Sequence, residues 1–431
     1  MAASPISQRL AELRCPPEAA MKWIRPGADV IVGAANGEPK RVLDAIEAHA
    51  DRLDGVRLHQ MLALRSRRYI EGECRGLRHV SWFLSPQTRD AYHAGACDLV
   101  PNAFSDVPRL MQQSLDPHLV LCAVSAPDRH GYFWLGADAE YPAAMIGQVP
   151  FFVEVNAQLP RTFGANQLHI SDVVGFCESD YPLIELPAVP VTERDRRIAG
   201  FVAERIPHEA TVQAGIGAVP DAVLGLLGDH RNLGVHTELL GDGFVPLVEQ
   251  GVVNGTAKRT HRNKLVTTSA IGHTILYDFV ADNPGVEFWP VNYTNDPVVI
   301  AREPLMTSIN AALEVDFLGQ CASESLGSEY LSSSGGQPDF ARGAVMAERG
   351  QAFIVLHSTT SDESVSRIVP QLRLGAAVTT YKNIVDKVVT EFGVAELRGS
   401  SIAERTRRLI AVAHPKFRDD LEASARQLRY L

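Results

Sequence analysis

Three short stretches of this chain carry residue types whose spacing could do chemistry. The first is His236-Thr237-Glu238, which closes an apolar stretch and stands just before Gly241-Asp242-Gly243. Alternating α/β chains place their sites there, beyond the carboxyl ends of the strands. A carboxylate is a poor nucleophile in water and an effective one in a partly dry cleft. Taken alone, the stretch is also a plain strand end with a solvated glutamate.

The second is Gln213-Ala214-Gly215-Ile216-Gly217-Ala218-Val219-Pro220. Its two glycines let backbone approach a ligand closely. Pro220 suits the first turn of a helix, where a missing N–H costs nothing, and helix N-termini attract phosphate. Pro220 also stands where a dinucleotide fingerprint needs its third glycine, which disfavours that class. The third is Gly335-Gly336-Gln337-Pro338-Asp339-Phe340, preceded by Ser332-Ser333-Ser334. Paired glycines leave N–H groups unobstructed, and such donors can stabilise a developing oxyanion. Each stretch read singly is first of all a turn.

Other chemistries lack their residues. His-x-Glu opens the zinc deaminase pattern, but no Pro-Cys-x-x-Cys follows. No His-Glu-x-x-His, Cys-x-x-Cys or EF-hand loop supports a metal site, and His273, His357 and His414 are isolated. There is no Gly-x-Ser-x-Gly elbow and no Walker A sequence.

The elements that must position these residues alternate. Apolar runs at Asp29–Val32, Leu119–Val124, Pro150–Val155 and Gln351–Leu356 end in or near turn residues. Runs of that kind suit strands buried on both faces, as in a parallel sheet. Helical patterns lie between them, at Lys40–Arg52 and Pro220–Leu227 for example, and the alternation predicts α/β. Tyr181–Arg197 is the expected boundary, with three prolines followed by the charged run Glu193–Arg197. Domains at 1–190 and 191–431 follow. Ser401-x-x-Glu404 has the form of a capping box, and Pro415 closes the helix after it. The halves share a strand, glycine turn and helix start, at Gly33–Pro39 and Gly215–Pro220.

Composition bounds the class. The chain has 431 residues, more than one core usually supports. It is 45% hydrophobic and 21% charged, as globular proteins are. A net charge of −10 with no dense Lys/Arg block argues against a nucleic-acid partner. No run approaches the ~18 apolar residues of a membrane span. The N-terminal MAASPISQRLAELR lacks the form of a secretory signal. The six cysteines form no paired motif and read as reduced thiols. A cytoplasmic location is therefore expected.

In this order the stretches resemble the acetyl-CoA hydrolase/transferase family, which includes the 4-hydroxybutyrate CoA-transferases. The matching runs are VGAANGEPKRVLDAI (32–46), AVSAPDRHGYFWLG (123–136), VHTELLGDGFVPLVEQGVVNG (235–255), VNYTNDPVVIA (291–301), SINAALEVDFLGQ (308–320), SSGGQPDFARGA (333–344), VVTEFGVAELRG (388–399) and LIAVAHPKFRDDL (409–421). They cover nearly the whole chain. The resemblance implies two tandem open α/β/α domains of the CoA-transferase fold with mainly parallel sheets, in a homodimer.

It implies that Glu238 is the catalytic carboxylate, with Gly335 and Gly336 as oxyanion donors. Gln213, Ala214, Gly215, Ile216 and Gly217 would form the CoA loop, with Asn310 and Ser333 near the CoA. Asn292, Asn295 and Ser358 fall in matching runs without a definite role. The implied reaction moves CoA between a short-chain acyl-CoA, such as acetyl-CoA, and a carboxylic acid such as 4-hydroxybutyrate or butyrate. It passes through a glutamyl-CoA thioester and needs no metal, nicotinamide or flavin. Hydrolysis, with water as acceptor, is the alternative. The serine-rich Leu331–Ser334 and the segment Arg65–Gly76 depart from the family pattern.

Overall fold

The structure is a computed structural model that describes residues 5–187 and 189–431. Residues 1–4 of the N-terminal stretch and residue 188 of the expected boundary lie outside it. The chain forms two compact units, Met1–Leu186 with Val266–Thr294, and Pro187–Leu265 with Asn295–Leu431. The segment 266–294, which a single cut at 190 leaves in the second domain, packs with the first unit. Local pattern does not reveal such a return, because it depends on contacts between distant residues.

The first unit is built on a seven-stranded sheet. In spatial order its strands are Val173–Ser179, Phe151–Asn156, Pro117–Val124, Asp29–Val32, Val56–Met61, Leu77–Phe83 and Cys97–Leu99. All neighbours run parallel. Every residue of Asp29–Val32 and Phe151–Asn156 is buried, as expected of strands covered on both faces. The helix Lys40–Ala48 buries Val42, Leu43, Ala45 and Ile46. It stops earlier than the sequence pattern suggests, and Ala50–Arg52 forms a separate 3-10 turn. Beneath it the Arg67 guanidinium bonds Oε1 of Glu38 at 2.7 Å, and Gln60 donates to Oε2 at 3.0 Å. Arg67 and Glu38 are both buried.

The second unit carries the strands Gly393–Glu396, Lys387–Thr390, Gln351–Val355, Thr307–Ala311, Thr211–Ala214 and Gly234–His236, in that spatial order. The last five run parallel and Gly393–Glu396 antiparallel. The charged run Glu193–Arg197 is not a linker. It opens the helix Glu193–Ala203, which Thr192 and Asp195 cap reciprocally. Ser401 and Glu404 cap Ile402–Val412 in the same way, and Pro415 begins a short 3-10 turn after it. The helix expected at Pro220–Leu227 runs from Ala218 to Gly225.

One helix of this unit matters most for the site. Gln337–Met346 buries Phe340, Ala341 and Ala344 against Ile300 and Met306. Burying the Phe340 ring stabilises by roughly 2–3 kcal/mol. Gly343 lets the helix approach Ile300 closely, since a Cβ there would lie 2.5 Å from Ile300 Cγ2. That seat fixes where the N-terminus of the helix points.

Candidate active site

Glu238 follows the strand Gly234–His236 directly. The strand's core residues Val235, His236 and Thr237 are buried, and the Glu238 side chain keeps part of its surface accessible. Thr237 donates its hydroxyl to the carbonyls of Ala214 at 3.3 Å and Leu239 at 3.0 Å. The turn carrying the glutamate is thereby tied to the end of Thr211–Ala214.

Two donors meet the Glu238 carboxylate. Asn295 Nδ2 donates to Glu238 Oε2 at 2.6 Å. The backbone N–H of Gly336 also bonds the carboxylate. Gly336 caps the helix Gln337–Met346, so the glutamate sits at the positive end of that helix. A Cβ on Gly336 would lie 1.8 Å from Glu238 Oε2 and 2.3 Å from Asn295 Nδ2, so either side chain would have to shift to make room for one. Gly335, at φ +56°, takes the left-handed turn that leads into the cap.

Burial pushes the Glu238 carboxyl up to about 7. The Asn295 hydrogen bond opposes this, the nearby Asp339 charge reinforces it, and the Gly336 N–H opposes it in turn. The carboxylate is thus poorly hydrated yet held by two N–H groups. Such a group can attack a carbonyl with Oε1 while Oε2 stays fixed.

Gln213 and Asn310 stand on the adjacent parallel strands Thr211–Ala214 and Thr307–Ala311. Gln213 and Asn310 pair reciprocally at 3.2 and 3.1 Å, and Gln213 also accepts from Ile309 N. Ala214 accepts from Thr237, and the Gly215 N–H donates to Ile309 O at 3.3 Å. Ile216 is exposed. Gly217, at φ +119°, precedes the helix Ala218–Gly225. Ser333 is buried two residues before Gly335, with its carbonyl accepting from the Ser332 hydroxyl. Ser358 lies apart, donating its hydroxyl to Glu391 at 2.8 Å. Asn292 lies in the short helix Val291–Thr294 of the first unit.

Sequence reasoning left Asn295 without a role, although its run matched. Its contact spans 57 positions, which no local pattern encodes. Asp339 carried no signal beyond its place in the glycine-rich run. Among the described residues, no group of three or more His, Cys, Asp or Glu side chains is arranged to hold a metal ion. No described helix is long and apolar enough to cross a membrane.

Residues 9–189 match the acetyl-CoA hydrolase/transferase N-terminal domain, and residues 272–425 match its C-terminal domain. The chain is 41% identical over 408 residues to a 4-hydroxybutyrate coenzyme A transferase of Clostridium kluyveri, covering 94% of this chain and 95% of that one. It is 40% identical to a succinyl-CoA:cyclohexane-1-carboxylate CoA transferase of Geobacter metallireducens, covering 96% and 95%. The crystal structure of RipA from Yersinia pestis superposes with a TM-score of 0.94 at 34% identity, covering 99% and 100%. Fold and site define a two-unit α/β enzyme with mainly parallel sheets. The chain belongs to the acetyl-CoA hydrolase/transferase family.

Proposed function

We propose that the protein is a CoA-transferase that moves CoA from a short-chain acyl-CoA, acetyl-CoA foremost, to a carboxylic acid such as 4-hydroxybutyrate or butyrate. The observation that carries this reading is the Glu238 carboxylate, desolvated and held by the Asn295 amide and the Gly336 N–H. The transferase names of the similar proteins support it.

In this mechanism Oε1 of Glu238 attacks the acyl-CoA carbonyl. The C–S bond breaks, CoA leaves as thiolate, and a mixed anhydride remains on the glutamate. The thiolate then attacks the glutamyl carbon. The negative charge of that tetrahedral intermediate falls on Oε2, which Asn295 already meets, with the Gly336 N–H on the same carboxyl group. Each is worth roughly 3 kcal/mol to such a charge. Collapse expels the first acid, which keeps Oε1, and leaves a glutamyl-CoA thioester. A second acid attacks the thioester and reverses both steps, so no net proton is needed. The donors expected at Gly335 and Gly336 become the Gly336 N–H and the Asn295 amide, with Gly335 shaping the turn.

The CoA lies, in this reading, along Gln213, Ala214, Gly215, Ile216 and Gly217, with Asn310 and Ser333 beside it. The strand ends and the exposed Ile216 support that placement. No step requires a metal, nicotinamide or flavin. The reading includes a cytoplasmic homodimer, which sedimentation of the purified protein tests.

Incubation with acetyl-CoA alone is expected to leave CoA on Glu238, seen by intact-protein mass spectrometry. Glu238→Ala is expected to lack the adduct and the activity. Active enzyme without an adduct overturns the mechanism. CoA release that proceeds equally well without any acid makes the protein a hydrolase.

A further inference from the structure

Oxyanion donors act only if they stay in place while charge develops. Here the residues flanking the glycine pair are both tethered to one short segment. Ser334 donates its hydroxyl to Glu324 Oε2 at 2.8 Å. Gln337 donates its amide to Ser323 Oγ at 2.9 Å and to Thr380 Oγ1 at 3.0 Å. Adjacent residues of one segment thus grip the chain on either side of Gly335-Gly336.

The segment is itself anchored. The Glu324 carbonyl accepts from Leu331 N at 2.7 Å and Ser332 N at 3.2 Å. The Ser323 N–H donates to Thr379 Oγ1 at 3.0 Å, and Cys321 N to Thr380 O at 2.9 Å. Glu324 is buried, and burial raises its pKa against the Ser334 hydrogen bond. It makes no ion pair among the described residues. A lone buried carboxyl costs stability, so its placement serves something else.

We propose that Glu324 and Ser334 are positioning residues for CoA transfer: their hydrogen bond sets the register of the Gly335-Gly336 turn and keeps the Gly336 N–H on the Glu238 carboxylate. This rests on the transferase reading above. Both residues act through the Gly336 N–H. Loosening the bond lets the donor drift, which slows formation of the oxyanion without changing how CoA is held.

The test compares wild type, Ser334→Ala, Glu324→Ala and Glu324→Gln. Transfer from acetyl-CoA to a carboxylic acid gives kcat and KM, and mass spectrometry reports the Glu238 adduct. Ser334→Ala and Glu324→Ala are expected to lose roughly tenfold in kcat, less than outright donor removal, with KM for acetyl-CoA within about twofold. Glu324→Gln is expected to keep most of the rate, because its amide oxygen still accepts from Ser334. Wild-type rates in both alanine variants overturn the proposal, as does an equal loss in Glu324→Gln and Glu324→Ala or a loss confined to KM. A wild type that never carries CoA overturns the underlying reading and the proposal with it. That result is distinct from a wild type that carries CoA while its variants match it.

Discussion

Gly336 and Glu238 are in contact so close that a single added carbon would occupy the carboxylate: a Cβ on Gly336 would stand 1.8 Å from Glu238 Oε2. The glycine has φ −91°, outside the left-handed region that favours glycine. Gly336→Ala is therefore expected to fold and to displace the carboxylate. Loss of kcat by roughly 10²-fold or more, with a melting temperature near that of wild type, is the expected result. Wild-type turnover in this variant would show that the contact is not needed.

The Glu238 carboxyl must be ionised to attack. Burial holds it at about 7, so kcat/KM is expected to fall below that pH with an apparent pKa near this value. Asn295 bonds the ionised form and lowers the pKa. Asn295→Ala is expected to move the acid limb to higher pH and to cost about 10²–10³ in kcat. A pH–rate profile of both proteins measures each effect.

The same burial carries a stability cost. Because the folded state holds the Glu238 proton up to about 7 while the free carboxyl releases it near 4.5, folding loses stability as pH rises between these values. Glu238→Gln removes the ionisable group and is expected to be the more stable protein at pH 8, by on the order of 3 kcal/mol. The difference is expected to vanish below pH 4.5. Urea unfolding at the two pH values checks the sign.

Gly217 adopts φ +119°, with no atom close to where a Cβ would stand. Gly217→Ala meets backbone strain and no clash, costing roughly 1–3 kcal/mol. If the loop holds CoA, KM for acetyl-CoA is expected to rise several-fold with kcat little changed. Steady-state kinetics with varied acetyl-CoA separates the two.

Arg67 and Glu38 form a buried pair in the first unit, with Asp44 as a second partner of the guanidinium. Arg67→Met removes the close partner of the buried Glu38 charge and leaves Arg65, 3.7 Å away, and the Gln60 amide, which costs up to about 3–5 kcal/mol. A lowered denaturant midpoint is the expected outcome. Unchanged stability would mean that water already reaches Glu38.

Much of the fold is legible locally. Asp29–Val32, Phe151–Asn156 and Gln351–Val355 are short apolar runs that suit a buried parallel sheet, and they are strands. The capping box at Ser401 and Glu404 is fixed by types three positions apart. Glu193–Arg197 misled because a charged run suits both a linker and an exposed helix start, and Thr192 with Asp195 decides for the helix. The assignment of 266–294 to the first unit carried no local mark.

The sequence by itself determined the chemistry available: a glutamate after a strand, glycines that leave N–H groups bare, and runs that match the family. Tertiary structure alone decided which groups meet that glutamate. Asn295 reaches it across 57 positions because the packing of distant elements brings them together. The carboxyl is desolvated by its surroundings, not by its neighbours in sequence. Periodicity and turn chemistry act over a few residues, whereas the position of a donor and the exclusion of water are properties of the packed whole.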